Sequence, residues 1–541
     1  MRLRFVRFIT EGVYEAGKES FKVKRKRLRK NVRLFRINEI AELYEKSISS
    51  GKRRIHMSSS RNSVNHKVLF SGMVALMLAV VPGWGVDLDT SPDRAKTDLN
   101  PGLKQIGVIK PRSASEIPGS NWTLGCETLD RDFAIFDEYK KFIGPLGIKT
   151  IRLQGGWAKT EKEKGKYDFG WLDKIIDEAI GLGLNIILET DYGNTIYQGG
   201  GGFDLAGGFP TSEEALAAWD RWVEAMANHY KGRIRDWAMW NEPDINKKHK
   251  PEDIAIFNIR TAEIIKRIIP DSRIAGLSLA SSSPKLLDNC LKVLAEKGKV
   301  DLFHWFIYHG YELNPDKSYQ NVEELKATLA KYSTKAKMRQ GENGCPSETA
   351  TRFALSNHPW TEYSQAKWDL RRMLGDLGHD VESAIFTICD FNHVGREINR
   401  KGLLHATAEK KVDQIKLAYY SVQNLVSIFD NTLERIKEPV VAVMYDKSTA
   451  SFGYRNRVTG QSLVVMWDNS GTPDDVFVTR PAHVMVKGLT FNEPVWVDLV
   501  SGRIYEIPAS NAAKAGDCTI FTNVPLYDAP VLIAEKSLVI R

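Results

Sequence analysis

From about residue 118 the chain alternates short apolar runs with segments whose apolar residues recur at helical spacing. Runs at 122–126, 150–154, 185–190, 236–240, 273–279, 302–308, 337–341 and 384–389 read as strands. Amphipathic segments near 132–143, 171–182, 212–230, 252–268, 284–297, 321–332, 361–376 and 412–426 read as the helices between them. The third helix opens on a capping box, Thr211-Ser-Glu-Glu214, behind Pro210. Its Leu216, Trp219, Trp222, Val223, Met226 and Tyr230 fall on one face, which predicts packing on strands. Eight such β/α repeats predict an α/β fold, a closed (β/α)8 TIM barrel over 118–430. An open doubly wound sheet is the rival, but the chain has no GxGxxG and no GxxxxGK[ST]. The glycines Gly199–Gly202 fall in the long loop 193–210 and read as a flexible rim.

After Asp430 the pattern changes to short alternating strands at 440–445, 462–467, 476–479, 484–487, 495–499, 503–507, 519–522 and 530–534. Turn residues such as Asp468-Asn-Ser-Gly-Thr-Pro473 and Ser501-Gly502 separate them. This predicts a C-terminal all-β sandwich over 431–541, an accessory domain with no residue that looks catalytic.

Composition adds limits. The 541 residues are 43% hydrophobic and 26% charged, which excludes a fully disordered chain and a multi-span membrane protein. The net charge of +9 misleads until it is divided. Residues 1–67 carry 19 basic and 6 acidic groups, leaving 57 basic against 61 acidic beyond them. The excess therefore sits in an amino-terminal extension, 1–56, and nothing after residue 67 supports nucleic-acid binding. Met57 opens a short basic stretch, an apolar run over 68–81 and a small-residue exit, the pattern of a secretory signal peptide over 57–86. Met57 then reads as the start and 1–56 as upstream residues. The apolar run is shorter than the ~20 residues a membrane span needs, so no stable membrane insertion is expected, and the protein reads as secreted, periplasmic or surface-exposed. Cys126, Cys290, Cys345, Cys389 and Cys518 are odd in number, and a Cys126–Cys389 disulfide between adjacent strands one and eight stays open.

In a barrel the reactive groups stand at the carboxyl ends of the strands. Those ends carry Glu127, Arg152 and Gln154, Glu189 and Asp191, Asn241 and Glu242, Ser278, Tyr308 and His309, Glu342 and Asn343, and Asp390. Aromatics Trp157, Tyr192, Trp240, Tyr311 and Phe391 lie close to them. Carboxylates among flat aromatic faces suit a sugar. Strands four and seven oppose one another across the barrel, so Glu242 and Glu342 can meet over its mouth. Retaining glycoside hydrolysis needs two carboxyl groups ~5–5.5 Å apart, one protonated to donate to the leaving oxygen and one ionised to attack the anomeric carbon. Arg152 is positioned to favour the ionised form, with ion pairing to Glu189 or Asp191 as its plainer use. There is no metal-ligand spacing such as HExxH, and the chemistry requires no cofactor.

Asn241-Glu242-Pro243 after an apolar fourth strand, with Glu342 ending the seventh, resembles clan A of the glycoside hydrolases. Gly125-Cys-Glu-Thr128 and Trp240-Asn-Glu-Pro243 resemble family 39 of that clan and its bacterial relatives. The family holds β-xylosidases and α-L-iduronidases, built as a barrel followed by β-rich accessory structure. The resemblance implies Glu242 as acid/base, Glu342 as nucleophile and Asn241 on the sugar 2-hydroxyl. It implies Arg152 and Tyr308 as support for the nucleophile, His309 as pocket lining and Glu127 as a binder of sugar hydroxyls; Trp157 and Asp191 complete the expected carbohydrate-binding set. Asn343-Gly344 stands where relatives carry Phe or Trp, and Ile388-Cys-Asp-Phe-Asn392 where many carry Trp, so the sugar's identity is not carried over. The expected partner is a poly- or oligosaccharide, and the alternative is a carbohydrate-binding barrel without catalysis.

Overall fold

A computed structural model describes residues 86–393, 397–437, 441–443 and 448–540. The extension 1–56 and, apart from Val86, the export segment 57–86 lie outside the described residues. Eight parallel strands close into a barrel in sequence order: Trp122–Gly125, Thr150–Gln154, Asn185–Glu189, Asp236–Ala238, Arg273–Leu279, Trp305–Tyr308, Lys337–Asn343 and Glu382–Ile385. The first and last close it, with Leu124 beside Ile385. Strands of a parallel barrel are buried on both faces, so they appear in the sequence as continuous apolar runs. Ile187, Ala238, Ala275, Trp305 and Ile307 form one small cluster of their own. Toward the amino ends, Arg339 donates to Thr123 Oγ1 and pairs with Glu382, and Arg273 pairs with Asp236. Among the described residues no helix is long and apolar enough to cross a membrane.

Three elements differ from the sequence expectation, each because a nearer partner takes the backbone. Strand six starts at Trp305, because Val300–Leu302 is wound into a 3₁₀ turn. Strand eight ends at Ile385; the apolar run beyond it pairs instead with 401–404, through Leu403 N–H to Thr387 O and Leu404 N–H to Ile388 O. The last helix spans Leu417–Ile428, since Val412–Ile415 forms a hairpin with Leu404–Ala406.

The C-terminal region is a β-sandwich. Its larger sheet runs, in spatial order, Gln105–Val108, Arg503–Glu506, Pro494–Asp498, Val531–Glu535, Ser462–Asp468, Thr449–Asn456, Leu433–Arg435. The smaller sheet holds Val441–Val443, Arg480–Lys487, Cys518–Leu526 and Ala512–Ala515. Residues 476–479 are not a strand. Gln105–Val108 precedes the barrel yet forms an edge of this sheet, with Gln105 facing Tyr505.

The helix Glu362–Gly378 lies between barrel and sandwich and is buried almost all round, charged residues included. Lys367 Nζ donates to Asp528 at 2.7 Å, Arg371 Nη2 to Asp316 at 2.5 Å, and Arg372 Nε to Asp376 at 3.0 Å. Trp467 of the sandwich donates to the same Asp316. All five cysteines are free thiols, Cys126 and Cys389 included.

Candidate active site

Glu242 follows strand four in a left-handed conformation, φ 49° and ψ 51°. Pro243 disfavours the right-handed helical region for the residue before it, and an L-residue held left-handed costs roughly 1–2 kcal/mol. Neighbouring bonds hold the turn. Glu242 N–H donates to Ser278 O at 2.9 Å, and Asp244 accepts from the backbone of Ala280 and Ser281 at 2.8 and 3.0 Å. Glu342 lies within strand seven, whose pairing continues to Asn343. Two glycines make room around it. A Cβ at Gly341 would sit 2.3 Å from Ile307 Cγ2, and one at Gly344 would sit 2.2 Å from Phe386 O. Gly344 thus has a packing reason, a close pass of the backbone just beyond strand eight.

The two glutamates meet. One oxygen of each, with a ring nitrogen of His309, fall within 4.8 Å of one another. His309 Nδ1 lies 2.7 Å from Glu242 Oε1 and 3.9 Å from Glu342 Oε2. Tyr311 Oη donates to Glu342 Oε1 at 3.0 Å. Arg152, buried in the barrel, is the hub of the site. Its guanidinium reaches Glu189 at 2.8 Å, Glu127 at 3.0 Å and Glu342 at 3.1 Å, and donates to Asn241 Oδ1 at 2.7 Å. Asn241 donates in turn to Tyr192 Oη at 2.9 Å.

These surroundings push the two carboxyls in opposite directions. Burial raises Glu242, and the nearby Glu342 anion adds to that against the opposing His309. Burial also works on Glu342, but His309, Arg152 and the Tyr311 hydroxyl together outweigh it and hold this carboxyl below its ordinary value. Burial first, then Glu342 and Glu189, lift Glu127 to about 7 against the pull of Arg152. His309 is raised: burial opposes its charge, and the two glutamates outweigh burial.

Glu242, His309 and Glu342 are the one grouping of metal-ligand residue types among the described residues. The guanidinium 3.1 Å from Glu342 Oε2 already supplies a cation to that oxygen and opposes a second one there.

The site opens on a cavity of about 510 Å³, lined by Glu127, Gln154, Asn241, Glu242, Glu342 and the aromatics Tyr192, Tyr311, Phe353, Phe386 and Phe391. Arg152 lies beneath it. Four expected residues are placed differently. Tyr308 turns outward among Arg372, Asp376 and Glu323, and Tyr311 makes the contact to Glu342. His309 is fully buried behind the pair and contacts Glu242, so it supports the site from below its lining. Trp157 is fully buried in the helical layer, donating to Glu161 and stacked on Tyr197 at 5.6 Å, out of reach of a ligand. Asp191 is also buried and accepts from Gln154, holding that amide in place. Asp390 pairs with Arg400 and Lys416 on the segment past strand eight.

Sequence reasoning missed Arg131, Phe386 and Lys401 in the lining. Lys401 is buried, donates to Ala354 O at 2.6 Å and is pushed down by burial to about 8. Phe386 was hidden by the misplaced end of strand eight. Tyr311 was legible as an aromatic near strand six, though not as the partner of Glu342.

Comparison with known proteins bears on the fold. The β-galactosidase family known as glycoside hydrolase family 42 matches residues 129–195. No curated protein matches the chain in sequence. Among solved structures, a family 39 glycoside hydrolase from Bacteroides cellulosilyticus is 16% identical at a TM-score of 0.54, covering 80% of this chain and 83% of that one. A monomeric β-xylosidase from Caulobacter crescentus is 14% identical at 0.51, covering 80% and 97%. A family 30 endoxylanase from Clostridium papyrosolvens is 12% identical at 0.51, covering 81% and 98%. In fold, this chain resembles the family 39 and family 30 glycoside hydrolases of clan A.

Proposed function

We propose that this protein is a retaining glycoside hydrolase acting on a poly- or oligosaccharide. One observation carries the reading: two glutamates from strands four and seven bring oxygens within 4.8 Å of one another over a single cavity, in environments that separate their proton affinities. Retaining enzymes need carboxyls ~5–5.5 Å apart, whereas inverting enzymes leave ~6.5–9.5 Å for a water. The spacing here suits the first class.

In the first step Glu342 attacks the anomeric carbon, the glycosidic C–O bond breaks, and Glu242 delivers its proton to the departing oxygen. The product is an ester between the sugar and Glu342. In the second step Glu242, now ionised, takes a proton from water as that water attacks the same carbon, and Glu342 leaves. Arg152 and Tyr311 stabilise the Glu342 carboxylate before attack and after release. Asn241, held between Arg152 and Tyr192, is oriented to hydrogen-bond the sugar beside the reacting carbon. The fold likeness to family 39 and 30 enzymes supports the reading, as does the xylosidase, xylanase or glycosidase activity named for those structures. Export through the segment 57–86 belongs to the same proposal, and sequencing the mature amino terminus tests it.

The test is a panel of 4-nitrophenyl glycosides and polysaccharides. The expected result is release of a sugar with retained anomeric configuration, followed by proton NMR. Glu342→Ala and Glu242→Ala should each lose turnover by orders of magnitude, with azide restoring cleavage of an activated substrate in at least one. Near-normal hydrolysis by both variants, or an inverted product, overturns the assignment. Binding of glycans with no hydrolysis of any substrate would favour a carbohydrate-binding barrel instead.

A further inference from the structure

The cavity over Glu242 and Glu342 does not end at the reacting pair. A second lobe of about 560 Å³ adjoins it and shares Arg131, Tyr192, Asp204 and His393 as common wall. Its other lining residues come from the loops after strands one, two and three, among them Phe133, Lys162 and Phe203. Glu242 lines only the first lobe and stands after strand four, with Ala280 beyond strand five and His309 beyond strand six.

The wall between the lobes is built rather than incidental. Arg131 donates to Gln154 Oε1 at 2.6 Å and to Asp204 Oδ1 at 2.7 Å, and its guanidinium lies 4.7 Å from the centre of the Tyr192 ring. The loop that supplies Asp204 is fixed by backbone bonds. Gly193 N–H donates to Gly202 O, Asn194 N–H to Gly200 O, and Gly202 N–H to Gly207 O, at 2.7–2.9 Å. The glycines permit this approach, since a Cβ on Gly200 would sit 2.0 Å from Asn194 O and one on Gly202 2.4 Å from Gly207 Cα. The expected flexible rim is therefore a fixed scaffold. It holds Phe203 at its tip, 55% exposed, an aromatic face standing free at the edge of the second lobe. Facing it, Phe133 packs on the His393 ring at 4.7 Å, and His393 on Phe353 of the first lobe at 5.1 Å, so aromatic rings line the way from one lobe to the other.

Direction decides what this lobe receives. The leaving group departs on the side of its proton donor, Glu242. The sugar attacked by Glu342 lies on the other side of that bond, where the second lobe opens among the loops after strands one to three and offers room for its continuation. We propose that the second lobe binds a further sugar on the glycone side of the scissile bond, so that the enzyme releases units of two or more sugars in preference to single terminal residues. The ligand class is a neutral oligosaccharide: the cations around the lobe are matched by Asp130, Asp132 and Asp204, and an exposed ring with a wide polar rim suits the C–H face of a sugar. This rests on the hydrolase reading and extends it to the length of substrate.

The test uses 4-nitrophenyl glycosides of single sugars and of the matching disaccharides, taking the sugar the enzyme hydrolyses fastest. The disaccharide glycoside is expected to show at least tenfold higher kcat/KM than the monosaccharide glycoside and to release nitrophenol together with the intact disaccharide. Phe203→Ala should reduce that ratio about tenfold, and Phe203→Trp should keep it. A ratio near one in the wild type, trimming of the terminal sugar before nitrophenol appears, or a ratio untouched by Phe203→Ala would overturn the proposal while leaving the hydrolase reading standing. Hydrolysis of nothing in the panel would instead remove the hydrolase reading, and the proposal with it.

Discussion

Buried charge is handled in two opposite ways in this molecule. On the helix between barrel and sandwich, each cation has its own carboxylate: Lys367 with Asp528 of the sandwich, Arg371 with Asp316 on the barrel side, and Arg372 with Asp376 one turn along the same helix. At the barrel mouth one guanidinium serves three carboxylates, Glu127, Glu189 and Glu342, and Glu242 has only His309. Matched pairs leave no buried charge uncompensated. An excess of carboxyls around one guanidinium leaves at least one of them holding its proton near neutrality, which makes acid–base chemistry possible. The difference sets a structural cluster apart from a candidate reactive one on physical grounds alone.

That comparison can be broken most directly by substitution at the mouth. Glu342→Gln should lower hydrolysis roughly 10⁴-fold or more while changing the melting temperature little, because the lost pairing with Arg152 and His309 is offset by relief of Glu127 and Glu242. A large loss of stability, seen by calorimetry, would make the mouth another structural cluster. Glu242→Gln should lower turnover of a poor leaving group by about 10²–10⁴-fold, with a smaller loss on an activated aryl glycoside.

The interface should answer in the opposite sense. Asp376→Ala strands the buried Arg372 and should destabilise the fold by ~3–5 kcal/mol in denaturant titration, with kcat of the folded fraction unchanged. The double variant Arg372→Met/Asp376→Leu should recover most of that loss. Little effect from the single change would mean the pair is not the matched unit described here. A smaller effect is expected of Tyr311→Phe, which removes one hydrogen bond to the Glu342 carboxylate, worth ~1.5–3 kcal/mol, and should reduce kcat/KM by the corresponding factor with substrate affinity little altered.

The last prediction concerns pH. The proposed mechanism requires Glu342 ionised and Glu242 protonated, so activity should fall as pH drops through the lowered value of Glu342 and again as pH rises through the raised value of Glu242. Stability has its own sign. Glu127 titrates at about 7 in the fold against 4.5 ordinarily, so its favourable contribution is complete below pH 4.5 and is lost as pH rises through 7. Melting temperature should decline across that window, and Glu127→Gln should flatten the decline. An unchanged slope in the variant would place the titration on another group.

Much of this contrast was legible in the chain. Strands buried on both faces write continuous apolar runs, so the barrel's order and the meeting of Glu242 with Glu342 followed from counting β/α repeats. What counting does not carry is the direction of a side chain at a strand's end. Tyr308 and Trp157 are aromatics next to the mouth in sequence, yet one turns out to Arg372 and the other is packed on Tyr197. Lys401 reaches the cavity only because the segment past strand eight folds back beside it, a long-range pairing with no local pattern. The four glycines looked like slack in the chain, whereas Gly200, Gly201 and Gly202 are needed where two backbones nearly touch.

The strand Gln105–Val108 carries one more consequence. It is made before any of the barrel, but the neighbour it lies against, Arg503–Glu506, is made only after the whole barrel. During translation that early strand has no mate, and a barrel completed alone would trail it as an open edge inviting other chains. The two strands thus act as a clasp across the barrel: the sheet edge shuts once residues 503–506 have been made, and a product cut short before residue 503 would betray the missing mate through aggregation.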